Sequence, residues 1–275
     1  MFISLITTCK GRLTHLKQSL PAFAQSGAEQ IIVVDYACPD HTQDWVRDNF
    51  PEVTIVALTD RPYFNPSDAR NSGARSASGD YLLFLDADVL IGRRFVRRLP
   101  ASPPKLVRFV IQPNGRGIAG SCFVERAAFN KVGGYDTFLG EGYGYEDFDL
   151  YRRLDATEGM VVDMTGDITV LDHDDRLRTN YKAERERAVA SLINLWYMKI
   201  KLHVMKQTAL SRLDDESCRR ILDRVSYVVR ETRDWSASQS VRLHLPCGDF
   251  SITLVANEIL LRAIKRSGNS CSGAE

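Results

Sequence analysis

"SGDYLLFLDADVL", residues 78–90, carries an unbroken apolar run from Tyr81 to Leu85 and then two aspartates separated by one alanine. A short run with no polar position predicts a strand buried on both faces, the kind found in parallel sheets covered by helices on either side. Asp86 and Asp88 then fall at the strand's carboxyl end, the edge where open α/β sheets bind ligands. Two residues apart on extended chain, they would project to the same side. A carboxylate pair so placed suits a divalent cation that also holds phosphate oxygens. Taken alone, D-x-D reads first as turn-capping aspartates ahead of Gly92.

The segments upstream repeat the pattern. "FISLITT" (2–8), "QIIVVD" (30–35) and "EVTIVAL" (52–58) are apolar, β-branched runs. Between the first two, "RLTHLKQSLPAFAQ" sets Leu13, Leu16, Leu20 and Phe23 at helical spacing despite Pro21, and "HTQDWVRDNF" (41–50) predicts a second helix. "NPSDARNSGARSASG" (65–79) opens as a helix should, with Asn65 as N-cap, Pro66 in the first position and Asp68 in the first turn. Alternating strands and helices predict an α/β, Rossmann-like fold: a mostly parallel sheet with helices on both faces. Thr7, Thr8 and Asp35 join Asp86 and Asp88 near strand carboxyl ends. Ala69, Gly73 and Ala77 form a small-residue stripe that lets the third helix lie close to the sheet. Arg70 beside them reads either as a neutraliser of a diphosphate or as a solvated surface arginine.

Residues 105–175 are less regular. "KLVRFVIQ" and "GIAGSCFV" read as strands, "ERAAFNKV" as a short helix stopped by Gly133 and Gly134, and "MVVD" and "DITVLDHDD" as further strands. Between them, "GYGYEDFDLYRRL" (142–154) sets Asp147, Leu150, Tyr151 and Leu154 on one helical face, with Glu146 and Asp147 in the first turn. On its own this is a capped surface helix, its acids favoured by the helix dipole. From 181 the pattern turns helical, through "AERERAVASLINLWYMKIKLHVMK" and "DDESCRRILDRVSYVVRETRDW". "SVRLHLP" alternates like a strand, "ITLVANEILLRAIKR" (252–266) predicts a last helix, and the tail from 267 predicts disorder.

Composition narrows the class. The 275 residues are 44% hydrophobic and 26% charged, ordinary for a globular protein, and the net charge of +1 offers no bulk attraction to nucleic acid. Six scattered cysteines with no C-x-x-C pair argue against a zinc knuckle or a disulfide framework and for a reducing, cytoplasmic setting. The apolar start lacks a basic flank, and no uncharged stretch approaches the ~18 residues that span a bilayer.

Together, "ARNSGARSASGDYLLFLDADV" and "FNKVGGYDTFLGEGYGYEDFDLYRRL" resemble a GT-A glycosyltransferase of the family 2 type. The second segment is similar to the C-terminal motif of β-1,4-galactosyltransferases and chondroitin-polymerase-like enzymes. The resemblance covers roughly residues 1–180. It implies a GT-A catalytic domain there, with a nucleotide-sugar part over about 1–100 and an acceptor part over about 101–180, followed by a mainly helical extension, 181–275. It further implies a metal-dependent inverting transfer of a hexosyl or N-acetylhexosaminyl group from a UDP-sugar to a carbohydrate acceptor, as in polysaccharide biosynthesis. By matching position, Asp86 and Asp88 are implied as ligands of Mn2+ or Mg2+, with His173 of "LDHDDRLRTNYK" completing the set; a plain loop histidine is the other reading of His173. Asp147 matches the general base and Glu146 a neighbour that binds sugar hydroxyls. Asp35 matches the aspartate that contacts uracil, although Tyr36 replaces the second aspartate of the usual D-D-G-S. Thr7, Thr8, Arg70, Asn71 and Tyr143 fall on the donor side, with Tyr143 standing where the galactosyltransferases have a loop tryptophan.

Such a base must be ionised at neutral pH, which a helix N-terminus favours. Two other classes compete. A nucleotidyltransferase would carry a glycine-rich basic loop after the first strand, of which "TTCKGR" is a poor version. A non-catalytic sugar-nucleotide-binding protein would have no use for the base. Residues 188–205 are apolar apart from Lys199, Lys201 and His203 and predict a helix packed on the catalytic domain; a dimer contact or a peripheral membrane-surface helix are the alternatives.

Overall fold

The run Tyr81–Phe84 does form a strand buried on both faces, at the centre of a seven-stranded sheet. The computed structural model describes residues 1–111, 116–154, 160–171, 186–232 and 239–254. Strands β1 (Ile3–Cys9), β2 (Gln30–Tyr36), β3 (Thr54–Leu58) and β4 (Tyr81–Phe84) are mutually parallel. Short β5 (Val89–Ile91) leaves the sheet; β6 (Leu106–Ile111), β7 (Arg116–Glu125) and β8 (Met160–Asp163) complete it in the order β3-β2-β1-β4-β7-β6-β8. β7 runs antiparallel to both neighbours and β8 parallel to β6, so one strand in seven is reversed. β5 pairs instead with β9 (Ile168–Val170) in a separate two-stranded ribbon.

Period-two alternation divides the apolar side chains between two cores. Ile3, Leu5, Val33, Leu83 and Phe123 point to one face, under α1 (Leu13–Ala24) and α2 (Thr42–Asn49). Ile6, Ile32, Val34, Leu82, Phe84 and Val124 point to the other, under α3 (Pro66–Arg75), α4 (Arg126–Lys131) and α6 (Glu146–Arg153); a single turn, α5 (Thr137–Gly140), precedes α6. On the first face Leu16, Leu20 and Phe23 are fully buried, each worth roughly 1.5–3 kcal/mol. α1 continues through Pro21, whose missing amide costs less than those contacts return.

α3 begins as its sequence dictates: Asn65 Oδ1 accepts from the Asp68 amide at 3.0 Å, with Pro66 behind it. The small stripe brings this helix against the sheet. A Cβ on Gly73 would meet the Ile6 and Val34 methyls, so only glycine permits the approach.

Two expectations change. The fourth strand ends at Phe84, and Asp86–Asp88 lie in the turn toward β5, closed by the Val89 amide on the Asp86 carbonyl at 3.0 Å. The aspartates therefore do not share one side by strand alternation. Residues 252–254, expected to open a helix, belong to β11 (Gly248–Leu254), paired antiparallel with β10 (Gln239–Leu245) and with Ile252 opposite Val241. The Pro246-Cys247 turn between two alternating runs was the hairpin signal; the remainder of that expected helix, and the tail, lie outside the described residues.

The chain divides into two units, 1–187 and 188–275. The second holds α7 (Arg187–Thr208, which begins one residue before the boundary), α8 (Asp215–Glu231) and the β10–β11 hairpin. In α8, Cys218, Ile221, Leu222, Val225, Val228 and Val229 form one buried helical face, and Asp214 caps its start through the Ser217 amide at 2.7 Å. No described helix is long and apolar enough to cross a membrane.

Candidate active site

Four charged side chains from three segments meet at the carboxyl edge of the sheet. Arg70, near the start of α3, is buried, and its guanidinium donates to Asp147 Oδ1 at 3.2 Å and to Asp86 Oδ1 at 2.9 Å. Its Nη1 stands 3.6 Å from Glu146 Oε1, and the Tyr135 ring lies 5.2 Å beneath it. Local sequence sets each position. Tyr145 takes a left-handed conformation (φ 70°) that turns the glycine loop into α6, so Glu146 and Asp147 enter its first turn. Leu150, Tyr151 and Leu154 then bury the face shared with Asp147. The Asp149 carboxylate, fully buried, binds Arg153 one turn on at 2.7 Å, and Arg153 donates to the Val132 and Gly134 carbonyls at 2.7 Å each. That bond set fixes α6 against the glycine turn before it.

Burial pushes the Asp147 carboxyl well above the usual carboxylate range; Arg70 pulls it back, while Glu146 and Asp86 push it further up. The helix dipole alone would favour an ionised carboxylate at neutral pH, but an eight-residue helix does not outweigh nearly complete desolvation. Burial also opposes the charge on Arg70, but Asp147 and Asp86 more than offset it and hold the guanidinium cationic. The surface reading of Arg70 is thereby excluded. Among the described residues Glu146 Oε2 is buried with no hydrogen-bond partner, an acceptor suited to a donor from outside the chain.

Other expected residues are spread along the same edge. Asp35 spends both carboxylate oxygens on backbone amides, those of Cys38 (2.7 Å) and Gln43 (2.8 Å). Tyr36 is buried, and its hydroxyl donates to Asp68 at 2.8 Å, tying β2 to α3. Asn71 clasps the backbone of Tyr135, giving its Nδ2 to the carbonyl and taking the amide at Oδ1, each at 2.9 Å. Thr7 is buried and Thr8 half-buried near the end of β1; the Thr7 hydroxyl has no partner among the described residues. Half-buried Tyr143 lies under the Arg187 guanidinium at 4.5 Å. His173 lies outside the described residues.

Arg12, in the β1–α1 loop, was not foreseen: it meets Asp88 at 3.3 Å. Nor was Gly120 of β7. A Cβ there would overlap the Asp86 carboxylate and crowd Arg70 Nη2, so glycine makes the room in which that carboxylate sits. Asp86 and Asp88 are hard oxygen donors of the kind that Mn2+ or Mg2+ takes, each here paired with an arginine. Among the described residues no three His, Cys, Asp or Glu side chains gather into a metal cluster.

Residues 4–124 match the family described as glycosyl transferase family 2, and residues 94–192 match glycosyltransferase like family 2. No curated protein matches the chain. Among solved structures, residues 1–349 of S. aureus TarS are similar at 14% identity and a TM-score of 0.54, over 91% of this chain and 98% of that one. The same protein in complex with UDP-GlcNAc gives 13% identity and a TM-score of 0.53, over 93% and 100%. The mannosyltransferase PcManGT from Pyrobaculum calidifontis, in complex with GDP-Man and Mn2+, gives 16% and 0.51, over 84% of this chain and 70% of that one. At these identities the likeness is one of fold, a GT-A-like α/β sheet.

Proposed function

We propose that this chain, a family 2 glycosyltransferase of GT-A fold, is a metal-dependent inverting enzyme that moves a hexosyl or N-acetylhexosaminyl group from a UDP-sugar to a glycan hydroxyl. The observation that carries the reading is the convergence of Asp147, Glu146 and Asp86 on one buried arginine at the sheet's carboxyl edge. Nucleotide-sugars bound to similar folds, UDP-GlcNAc in one and GDP-Man with Mn2+ in another, support the donor class.

Asp147 is the general base. Its raised pKa suits a group that must take a proton from the acceptor hydroxyl as that oxygen attacks the anomeric carbon from the face opposite the leaving nucleotide. Glu146, with one oxygen unpartnered among the described residues, accepts a hydrogen bond from a sugar hydroxyl and orients the ring. Arg70 holds both carboxylates in place and offsets part of their charge. The glycine loop before α6, with Gly144 at φ 78°, would close over a donor and exclude water. Asp86 and Asp88, with His173 proposed as their companion, would hold the cation. A cation bound there would supply positive charge against that developing on the leaving diphosphate.

The nucleotidyltransferase reading loses its basic loop. Lys10 is buried, and its ammonium donates to the carbonyls of Tyr36 (3.1 Å), Ala37 (2.9 Å) and Arg61 (2.6 Å), a structural clamp across three strand ends. Incubating the protein with Mn2+, an oligosaccharide acceptor and a panel of UDP- and GDP-sugars decides the matter. Free UDP with a glycosylated product of inverted anomeric configuration is expected. Release of pyrophosphate, or a retained anomer by NMR, would overturn the proposal.

A further inference from the structure

Cys9 and Cys38 are far apart in sequence, yet the fold puts their sulfurs 4.0 Å from each other. Cys9 is the last residue of β1 and is fully buried; Cys38 lies two residues beyond β2 and is half-buried. We propose that the pair is a thiol–disulfide switch, with Cys38 the attacking thiol, Cys9 the resolving thiol, and a low-molecular-weight disulfide the oxidant.

Three features support these roles. The Cys38 sulfur accepts the Gly11 amide at 3.1 Å, a donor that favours a thiolate. Its hydrogen bond from Cys9 lowers the Cys38 pKa to about 6 against the opposing effect of burial, while Cys9 is pushed well up, first by that same contact. The Cys38 loop is also conformationally loaded. Ala37 (φ 47°) and His41 (φ 55°) flank it in the left-handed region without being glycine, so the segment is held there by its surroundings.

The chemistry balances without further reagents. The Cys38 thiolate attacks one sulfur of the small disulfide; that S–S bond breaks, a mixed disulfide forms and one small thiolate leaves. Cys9 then gives up its proton, attacks the Cys38 sulfur and expels the second small thiolate, which takes the proton. Two protein thiols are oxidised by two electrons and one small disulfide is reduced to two thiols. Closing the bond draws the sulfurs together by about 2 Å, to the disulfide length. The moving segment includes the Cys38 amide that holds Asp35 Oδ1. Oxidation therefore disturbs the β2 end of the sheet edge and weakens donor binding, a consequence that rests on the donor-site reading above.

The full-length protein is incubated with glutathione disulfide, acid-quenched, and its intact mass and peptide map recorded. A loss of about 2 Da with Cys9 linked to Cys38 is expected, reversed by dithiothreitol. Cys9→Ser should stop at one glutathione adduct on Cys38, and Cys38→Ser should leave Cys9 unmodified. Absence of the linked peptide, or alkylation of Cys38 no faster than of half-buried Cys247, overturns the switch. UDP affinity should fall about 5-fold or more on oxidation, the lower range of ordinary coupling between sites; equal affinity of both forms overturns the control of the edge. If the reduced protein binds no UDP, the donor reading has failed on its own, and amide exchange over residues 37–43 decides instead. Changed exchange on oxidation supports the switch, and unchanged exchange overturns it.

Discussion

The Arg70 guanidinium and the Asp147 carboxylate, 77 residues apart in the chain, stand 3.2 Å from each other in a pocket nearly closed to solvent. Neither charge is tolerable there alone, so each is the condition for the other's burial. Replacing Arg70 by methionine keeps length and removes the charge. It should cost about 3–5 kcal/mol of stability at pH 8, the usual result of stranding a buried partner. The loss should shrink at pH 5, where protonation relieves the stranded carboxyls. Urea unfolding at the two pH values measures it; an equal loss at both would mean that Arg70 matters for packing alone.

Asp147→Asn should change how the protein's stability depends on pH. A carboxyl whose pKa is raised in the fold contributes stability below its unfolded value near 3.9, and that contribution is lost as pH rises through the folded pKa. Asparagine has no such loss. The melting temperature of the variant relative to the native protein should therefore climb as pH is raised from 4 toward 8. A difference that stays flat over this window would contradict the raised pKa.

The same substitution should lower kcat by roughly 10²–10⁴-fold, the usual contribution of a general base, with UDP and metal affinity near native. Glu146→Gln should differ, raising KM for a sugar substrate at least as much as it lowers kcat. Steady-state kinetics with both variants separates the roles; near-native kcat for Asp147→Asn removes the base assignment.

Asp86→Ala and Asp88→Ala should each abolish metal-dependent UDP binding in calorimetry while circular dichroism stays native. His173→Ala should weaken metal affinity by ~10-fold or more if the imidazole binds the ion. An unchanged titration would return His173 to the role of an ordinary loop residue.

Gly120→Ala tests the cradle. The added methyl must displace the Asp86 carboxylate and Arg70, and a folded protein with weakened metal affinity and depressed transfer is expected. Native metal affinity would show that Asp86 has other room to occupy.

What the sequence made legible was local. Strand burial, the Asn65–Pro66 helix start, the Ala69–Gly73–Ala77 stripe and the buried face of Asp147 each follow from spacing within one segment. Arg70 with Asp147, Asn71 with Tyr135, Arg12 with Asp88 and Lys10 with three carbonyls join segments far apart, and no periodicity encodes such pairs. The hairpin at 239–254 was misread for another reason: "ITLVANEILLRAIKR" has helical spacing over its length, while its first three residues complete the alternation begun at Phe250.

Strand β7 is inserted between β4 and β6 although it follows both in the chain, so the open edge of β4 waits for a segment made much later. Pairings of that range are slow to form. A chain with β1 to β4 in place already carries Asp35 and Arg70, but Gly120, Glu146 and Asp147 lie further along the sequence. The charged cluster around Arg70 is therefore closed by elements that come late in the chain, and a chain cut before α6 would leave that guanidinium without Asp147.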